Sequence, residues 1–256
     1  MKTSGNTILI TGGGSGIGAA LAQRFHAQGN RVIVAGRRRD ALDQVVAGRD
    51  GMFAMTLDVE SAEAVEDFAL RVIAEHPSLN VLINNAGIMR FEALDTRRDL
   101  ADAEATITTN LLGPIRLTNA LIEHLTARPD AAIVNVTSGL AFVPLVDTPT
   151  YNATKAAIHS YTVSLREALK GKVEVIELAP PAVQTGLTPG QENRPGYQPL
   201  DEFAEEVMAL FGEQPTPAEI LVERVKFLRN AERENRFDAT VTQLNDFARQ
   251  ARQSQA

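Results

Sequence analysis

The chain has 256 residues, 44% hydrophobic and 22% charged, with a net charge of −7 and no cysteine. These values suit one large α/β domain, or at most two small ones, with an ordinary buried core. They argue against a basic nucleic-acid-binding face and exclude disulfides, thiolate metal sites and cysteine nucleophiles. The histidines His26, His76, His124 and His159 are scattered, with no metal-ligand pair at helical spacing, so no metal is expected. The N-terminus lacks an apolar signal region, and no run approaches about 18 apolar residues, so a soluble cytoplasmic protein with no membrane span is expected.

In chain order, Thr7–Thr11 reads as a buried strand, followed by a helix over Gly16–Gln28 that ends at Gly29. Arg31–Ala35 is a second strand, Asp40–Ala47 a helix and Met52–Leu57 a weaker strand. Ser61 caps the next helix, with Val65, Phe68 and Val72 on its apolar face. Asn80–Ile83 is a fourth strand, and a long helix should cover Ala103–Arg128 with a kink at Gly113-Pro114. Ala131–Val136 is a fifth strand, Thr150–Lys170 a helix and Val173–Leu178 a sixth strand. Gln184–Leu200 should be loop, and residues 184–215 form the expected substrate region. Asp201–Phe211 is helical, Ala218–Glu234 reads as one amphipathic helix, and the polar last twenty residues read as a short helix with a loose tail. Strands alternating with helices predict a single-domain doubly wound parallel sheet, the Rossmann α/β fold, with helices on both faces over residues 1–256. In that fold ligands sit beyond the carboxyl ends of the strands, where Gly12, Asn84, Ser138 and Pro180 converge.

Thr11–Gly18 places glycines between a strand and a helix, where backbone N–H groups and a helix dipole can receive a pyrophosphate. Gly12 makes the turn, Gly16 admits the pyrophosphate, and Gly18 lets the helix pack close. Tyr151 and Lys155 share one helix face. A free phenol has a pKa of about 10, and a nearby ammonium should pull it down towards the range of useful proton transfer. Ser138 offers a hydroxyl to a carbonyl or alcohol oxygen. An acidic residue about 20 positions beyond the loop would hold a ribose 2′-hydroxyl. That place is taken by Gly36, with Arg37 and then Arg38 as candidates to pair with a 2′-phosphate. NADP(H) is therefore the expected cofactor, with NAD(H) as the alternative.

These residues together resemble the classical short-chain dehydrogenase/reductase family over residues 5–185. Thr11–Gly18 matches its T-G-x-x-x-G-x-G loop and Asn84-Asn85-Ala86-Gly87 its N-N-A-G turn. Asn110, Ser138, Tyr151 and Lys155 fall where its catalytic tetrad would be. The resemblance implies a water-holding, proton-relay role for Asn110 and ribose binding by Lys155. It implies dinucleotide contacts from Gly12, Ser15, Gly16, Ile17, Gly18, Asp58, Val59, Asn84, Ala86, Gly87, Pro180, Val183 and Thr185, besides Tyr151 and Lys155. Two departures stand out: Pro181 replaces a usual glycine, and the family's V-D-G-G strand near the C-terminus is absent. A homodimer through the fourth and fifth helices is expected, with a tetramer as the alternative.

The expected activity is hydride transfer between a nicotinamide and a small ketone, aldehyde or alcohol, with Tyr151 as acid and base. The apolar Leu140, Phe142, Val143 and Leu145 point to a hydrophobic substrate. A non-catalytic dinucleotide sensor or scaffold on the same fold is the alternative. A dehydratase or epimerase of an extended relative is disfavoured by the glycine spacing and the short chain.

Overall fold

The computed structural model describes residues 1–253. Seven strands form one parallel sheet in the order β3-β2-β1-β4-β5-β6-β7. They are β1 (Thr7–Thr11), β2 (Arg31–Gly36), β3 (Met52–Thr56), β4 (Val81–Asn84), β5 (Ala132–Val136), β6 (Glu174–Leu178) and β7 (Glu219–Ile220). The helices are α1 (Gly16–Ala27), α2 (Arg39–Val46), α3 (Ala62–Glu75), α4 (Ala101–Ile107), α5 (Gly113–Thr126), α6 (Pro149–Ala168), α7 (Leu200–Phe211), α8 (Glu223–Arg229) and α9 (Phe237–Gln253). No helix among the described residues is long and apolar enough to cross a membrane.

Strand alternation divides the core into two layers. Ile8 and Ile10 face one layer, with Leu21 and Phe25 of α1 and Phe203, Val207 and Phe211 of α7. Leu9 faces the other, with Phe68 and Val72 of α3 and Leu117, Leu121 and Leu125 of α5. Each such side chain, when fully buried, contributes about 1.5–3 kcal/mol, so helices on both faces bind the sheet firmly. Polar side chains pin the amino ends of the strands. Asn30 Oδ1 accepts from Asn6 N and Nδ2 at 3.0 and 2.9 Å, Asn80 Nδ2 donates to Asn6 Oδ1 at 3.0 Å, and Thr7 N donates to Asn80 Oδ1 at 2.9 Å.

Three expectations change. The helix expected over Ala218–Glu234 is instead the short strand β7 followed by α8. Ile220 pairs with Leu178 and is fully buried, so sheet pairing overrides the helical pattern. A seventh strand of two residues thus joins the six expected, and it carries no V-D-G-G sequence. The long helix expected over Ala103–Arg128 is broken at Thr108–Leu112, a π segment in which Gly113 N bonds Thr108 O, upstream of the expected kink. Pro114 has no N–H for the Asn110 carbonyl, which removes one ordinary helical bond there. At the C-terminus, α9 extends for 17 residues, longer than the short helix expected; residues 254–256 lie outside the described residues.

Candidate active site

Between β1 and α1 the backbone turns through Gly12 and Gly16, both left-handed at φ 65° and 52°. A Cβ on Gly12 would lie 2.9 Å from Ala86 Cα, and one on Gly18 would lie 2.4 Å from Gly12 O. These glycines allow the loop, the Asn85-Ala86 turn and α1 to approach one another. Thr11 Oγ1 accepts from Asn85 N and Ala86 N, both at 3.0 Å, and Asn85 Nδ2 donates to Thr11 O at 2.9 Å. Ile17 packs against the core. The first turn of α1 carries no acidic residue, so its N-terminus presents N–H groups to an anion without a competing charge.

A cavity of about 170 Å³ adjoins this loop, lined by Thr11, Gly12, Gly36, Arg38, Val59 and Gly87 among others. Arg37 reaches into an ion pair with Glu60 Oε1 at 2.9 Å, which also accepts from Thr109 Oγ1 at 2.9 Å. Arg38 NH2 instead donates to Ser15 Oγ at 3.3 Å and has no carboxylate partner among the described residues. Asp58 is occupied locally, accepting from Glu60 N at 3.0 Å. Asn84 does not reach the cleft with its side chain: it is buried and donates to Thr118 Oγ1 and Asn135 Oδ1. The positive-φ glycines and the acid-free helix start fit a nicotinamide dinucleotide.

Ser138, beyond β5, and Tyr151 and Lys155, one turn apart on α6, are brought together. All three are buried, with Tyr151 6% exposed. Ser138 Oγ accepts from Leu140 N at 3.1 Å, which leaves its proton to be donated. Lys155 Nζ lies 5.6 Å from the Tyr151 ring centre and donates to Val136 O at 2.8 Å. Burial pushes the Tyr151 phenol up to about 12, with the Ser138 hydroxyl drawing it the other way. Lys155 does not bring about the expected lowering, because that amine is itself pushed down to about 8 by burial.

Asn110 sits in the π segment with its side chain inward. Its Oδ1 accepts from Ile88 N at 2.9 Å and its Nδ2 donates to Ile88 O at 2.8 Å and Thr154 Oγ1 at 3.3 Å. A Cβ on Gly87 would lie 3.2 Å from Asn110 Oδ1 and 3.7 Å from Lys155 Nζ, so Asn110 and Lys155 flank the same small space.

A second cavity, of about 1010 Å³, contains Ser138 and Tyr151 and is walled by Pro180, Pro181, Leu140 and Leu145. Phe142 and Val143, expected in this wall, are not part of it. Val143 is fully buried, and Phe142 turns to His159, with ring centres 5.0 Å apart. Val183 lies in the core, and Thr185 packs beside Gly16.

Several residues important to the site carry no sequence signal. Gln191 Nε2 donates to Val183 O at 2.8 Å and Thr185 Oγ1 at 3.2 Å, holding the loop after β6 against the cleft. The Glu92 carboxylate accepts from Thr150 N and Thr150 Oγ1 at 3.1 and 2.8 Å and pairs with Arg98 at 2.6 Å, which anchors the start of α6. Burial alone would raise its pKa; the Arg98 and Thr150 hydrogen bonds outweigh this and lower it. His159 bonds fully buried Glu177 at 2.8 Å. With Glu219 these offer three ligand-capable groups whose atoms lie within 4.8 Å of one another. Arg229 already holds Glu219 with two hydrogen bonds, so the cluster is an ion-pair network.

Comparison with known proteins places the chain in a family. The family model for short chain dehydrogenase matches residues 6–195. The chain is 40% identical over 254 residues to the uncharacterized oxidoreductase DltE of Bacillus subtilis, covering 96% of this chain and 98% of that protein. It is 30% identical over 187 residues to the NADP-dependent 3-hydroxy acid dehydrogenase YdfG of Escherichia coli K12, covering 72% and 73% of the two chains. The 3-ketoacyl-(acyl-carrier-protein) reductase of Brucella melitensis, solved with NADH, is similar in structure with a TM-score of 0.77 at 26% identity, covering 85% of this chain and 96% of that one. The chain belongs to the short-chain dehydrogenase family of oxidoreductases.

Proposed function

We propose that the protein interconverts a small hydrophobic ketone or aldehyde and the corresponding alcohol, with Tyr151 as acid and base. The observation that carries this reading is the meeting of the Ser138 and Tyr151 hydroxyls in the large, mainly apolar cavity, with the buried Lys155 amine behind them. The glycine loop, Ala86, Gly87, Pro180 and Thr185 would hold the dinucleotide, and Lys155 the hydroxyls of its nicotinamide ribose. A bound nicotinamide supplies or accepts the hydride. The chain's own part is positioning and proton transfer. In reduction, Ser138 donates a hydrogen bond to the carbonyl oxygen and Tyr151 delivers its proton there. Lys155, supported by the Asn110 region, restores that proton. A phenol held neutral by burial suits the donor role at the start of reduction.

The cofactor reading favours NADP(H). Gly36 offers no carboxylate to a 2′-hydroxyl, and Arg38 lines the cavity, bonded to the Ser15 hydroxyl and to no carboxylate among the described residues. The relative YdfG is NADP-dependent by name, which supports the preference. Arg38 takes precedence over Arg37, which is engaged by Glu60.

Tyr151→Phe tests the assignment. Oxidation of reduced cofactor with a panel of ketones is expected to fall by at least about a hundredfold, while cofactor affinity stays within about twofold. Retained turnover removes the acid/base role. Absence of turnover in the wild type with tight cofactor binding would favour the sensor reading instead.

A further inference from the structure

Ten large apolar side chains remain exposed among the described residues, and four of them line the rim of the large cavity: Phe91 at 54%, Leu94 at 61%, Val146 at 46% and Phe247 at 58%. From there the lining runs inward through half-buried Leu140, Leu145, Leu228 and Leu244 to buried Ser138 and Tyr151. Apolar side chains thus line the cavity both beside the buried hydroxyls and at its exposed rim. A short ketone needs only the inner part, and a volume near 1010 Å³ stands at the upper end of small-molecule sites. An exposed apolar rim around a cleft marks where an apolar ligand lies.

The outer wall comes from α9, through Leu244, Phe247 and Ala248. Buried Asn245 fixes that helix: its Oδ1 accepts from Val146 N at 2.7 Å, and its Nδ2 donates to Pro144 O at 3.2 Å. This clasp joins α9 to the loop that leads into α6 and Tyr151. Asp95 and Asp147 line the cavity beside one cation, Arg194, whose NH1 is bonded to the Tyr197 hydroxyl at 3.3 Å, while Glu92 is paired with Arg98. An anionic tail is disfavoured there.

We infer that the substrate is an uncharged carbonyl compound, or its alcohol, with a long aliphatic tail that runs along α9 and leaves over the rim. Leu94 and Phe247 set chain-length preference, and Asn245 is a positioning residue for that wall. The inference rests on the assignment of Ser138 and Tyr151 as the reacting end.

The test is a series of methyl ketones from butanone to tridecanone with the full chain and saturating NADPH. Each added methylene is expected to raise kcat/KM by about twofold to fourfold, from the transfer value of a CH₂ group. In Leu94→Asp and Phe247→Asp this gain per methylene falls towards onefold over the longer members, with the change in KM rather than kcat. Asn245→Ala lowers it partly. A ketone of equal length ending in a carboxylate is expected to react more slowly than the neutral one. A flat wild-type series, an unchanged slope in both aspartate variants or a preference for the carboxylate overturns the inference. A second arm needs no turnover: dodecanol should displace a fluorescent dodecyl probe from the cofactor-free wild type, and Phe247→Asp should bind the probe at least tenfold more weakly. Displacement without ketone turnover supports the tail site while removing the catalytic reading. Butanone turnover without displacement removes the tail site alone. Conversion of a wild-type dimer to a monomer by Leu94→Asp assigns the rim to a second copy and overturns the inference.

Discussion

Arg37 and Arg38 are adjacent, yet the structure gives them different surroundings. Both line the small cavity, but Arg37 is neutralised by Glu60, while Arg38 has a hydroxyl partner. Charge-assisted hydrogen bonds contribute about 1.5–3 kcal/mol, so Arg38→Ala should weaken NADPH binding about 10- to 100-fold and leave NADH binding nearly unchanged. Arg37→Ala should weaken it less; titration of each variant with both cofactors checks the ranking, and a larger loss at Arg37 reverses it. His159 gives a pH prediction. Its pKa is raised above 6.5, chiefly by the hydrogen bond to Glu177, against desolvation and the nearby Arg229. The stabilisation is complete below about pH 6.5 and is lost as pH rises through the higher folded value. Between about pH 6 and pH 8 the wild type should therefore lose more thermal stability than His159→Gln. Equal losses would exclude this pair as the cause.

Glu92 connects a loop to the helix that carries Tyr151. It receives the Thr150 N–H and hydroxyl in the first turn of α6, where a carboxylate also complements the helix dipole. Glu92→Gln is expected to cost about 1–3 kcal/mol near neutral pH, measured by denaturant unfolding. Because the folded-state pKa lies below 4.5, the contribution is present above that value and disappears as pH falls through the folded one. The difference between wild type and variant should shrink in acid; an undiminished difference would place the effect elsewhere. The same region shows what the sequence could reveal. Five-residue strands such as Ala-Ile-Val-Asn-Val and the ordered glycine, serine, tyrosine and lysine motifs were readable because each is local. The Glu92–Thr150 and Arg37–Glu60 pairs join distant segments and leave no spacing pattern. Two-residue β7 is too short to show a period, and its pairing with Glu177 and Leu178 of β6 defines it. The π segment was visible only as a kink at Gly113-Pro114, although its consequence, Asn110 turned inward against Ile88, lies upstream.

At the level of the molecule, α4 and α6 present Ile107 and Val163 at 41% and 47% exposure. These faces suit the homodimer expected through the helices around Asn110 and Tyr151. Ile107→Arg should then shift the sedimentation profile from dimer to monomer. A wild-type protein that sediments as a monomer would remove this interface. The sheet itself is asymmetric from end to end. At the amino ends Asn6, Asn30 and Asn80 lock three strands with saturated side-chain bonds. At the carboxyl ends the chain departs into the segments that surround the reacting groups. The clasp therefore acts as a foundation: segments at the far rim can be lengthened, shortened or exchanged while β1, β2 and β4 keep their alignment. New substrate preferences can accumulate there without renegotiating the architecture beneath them.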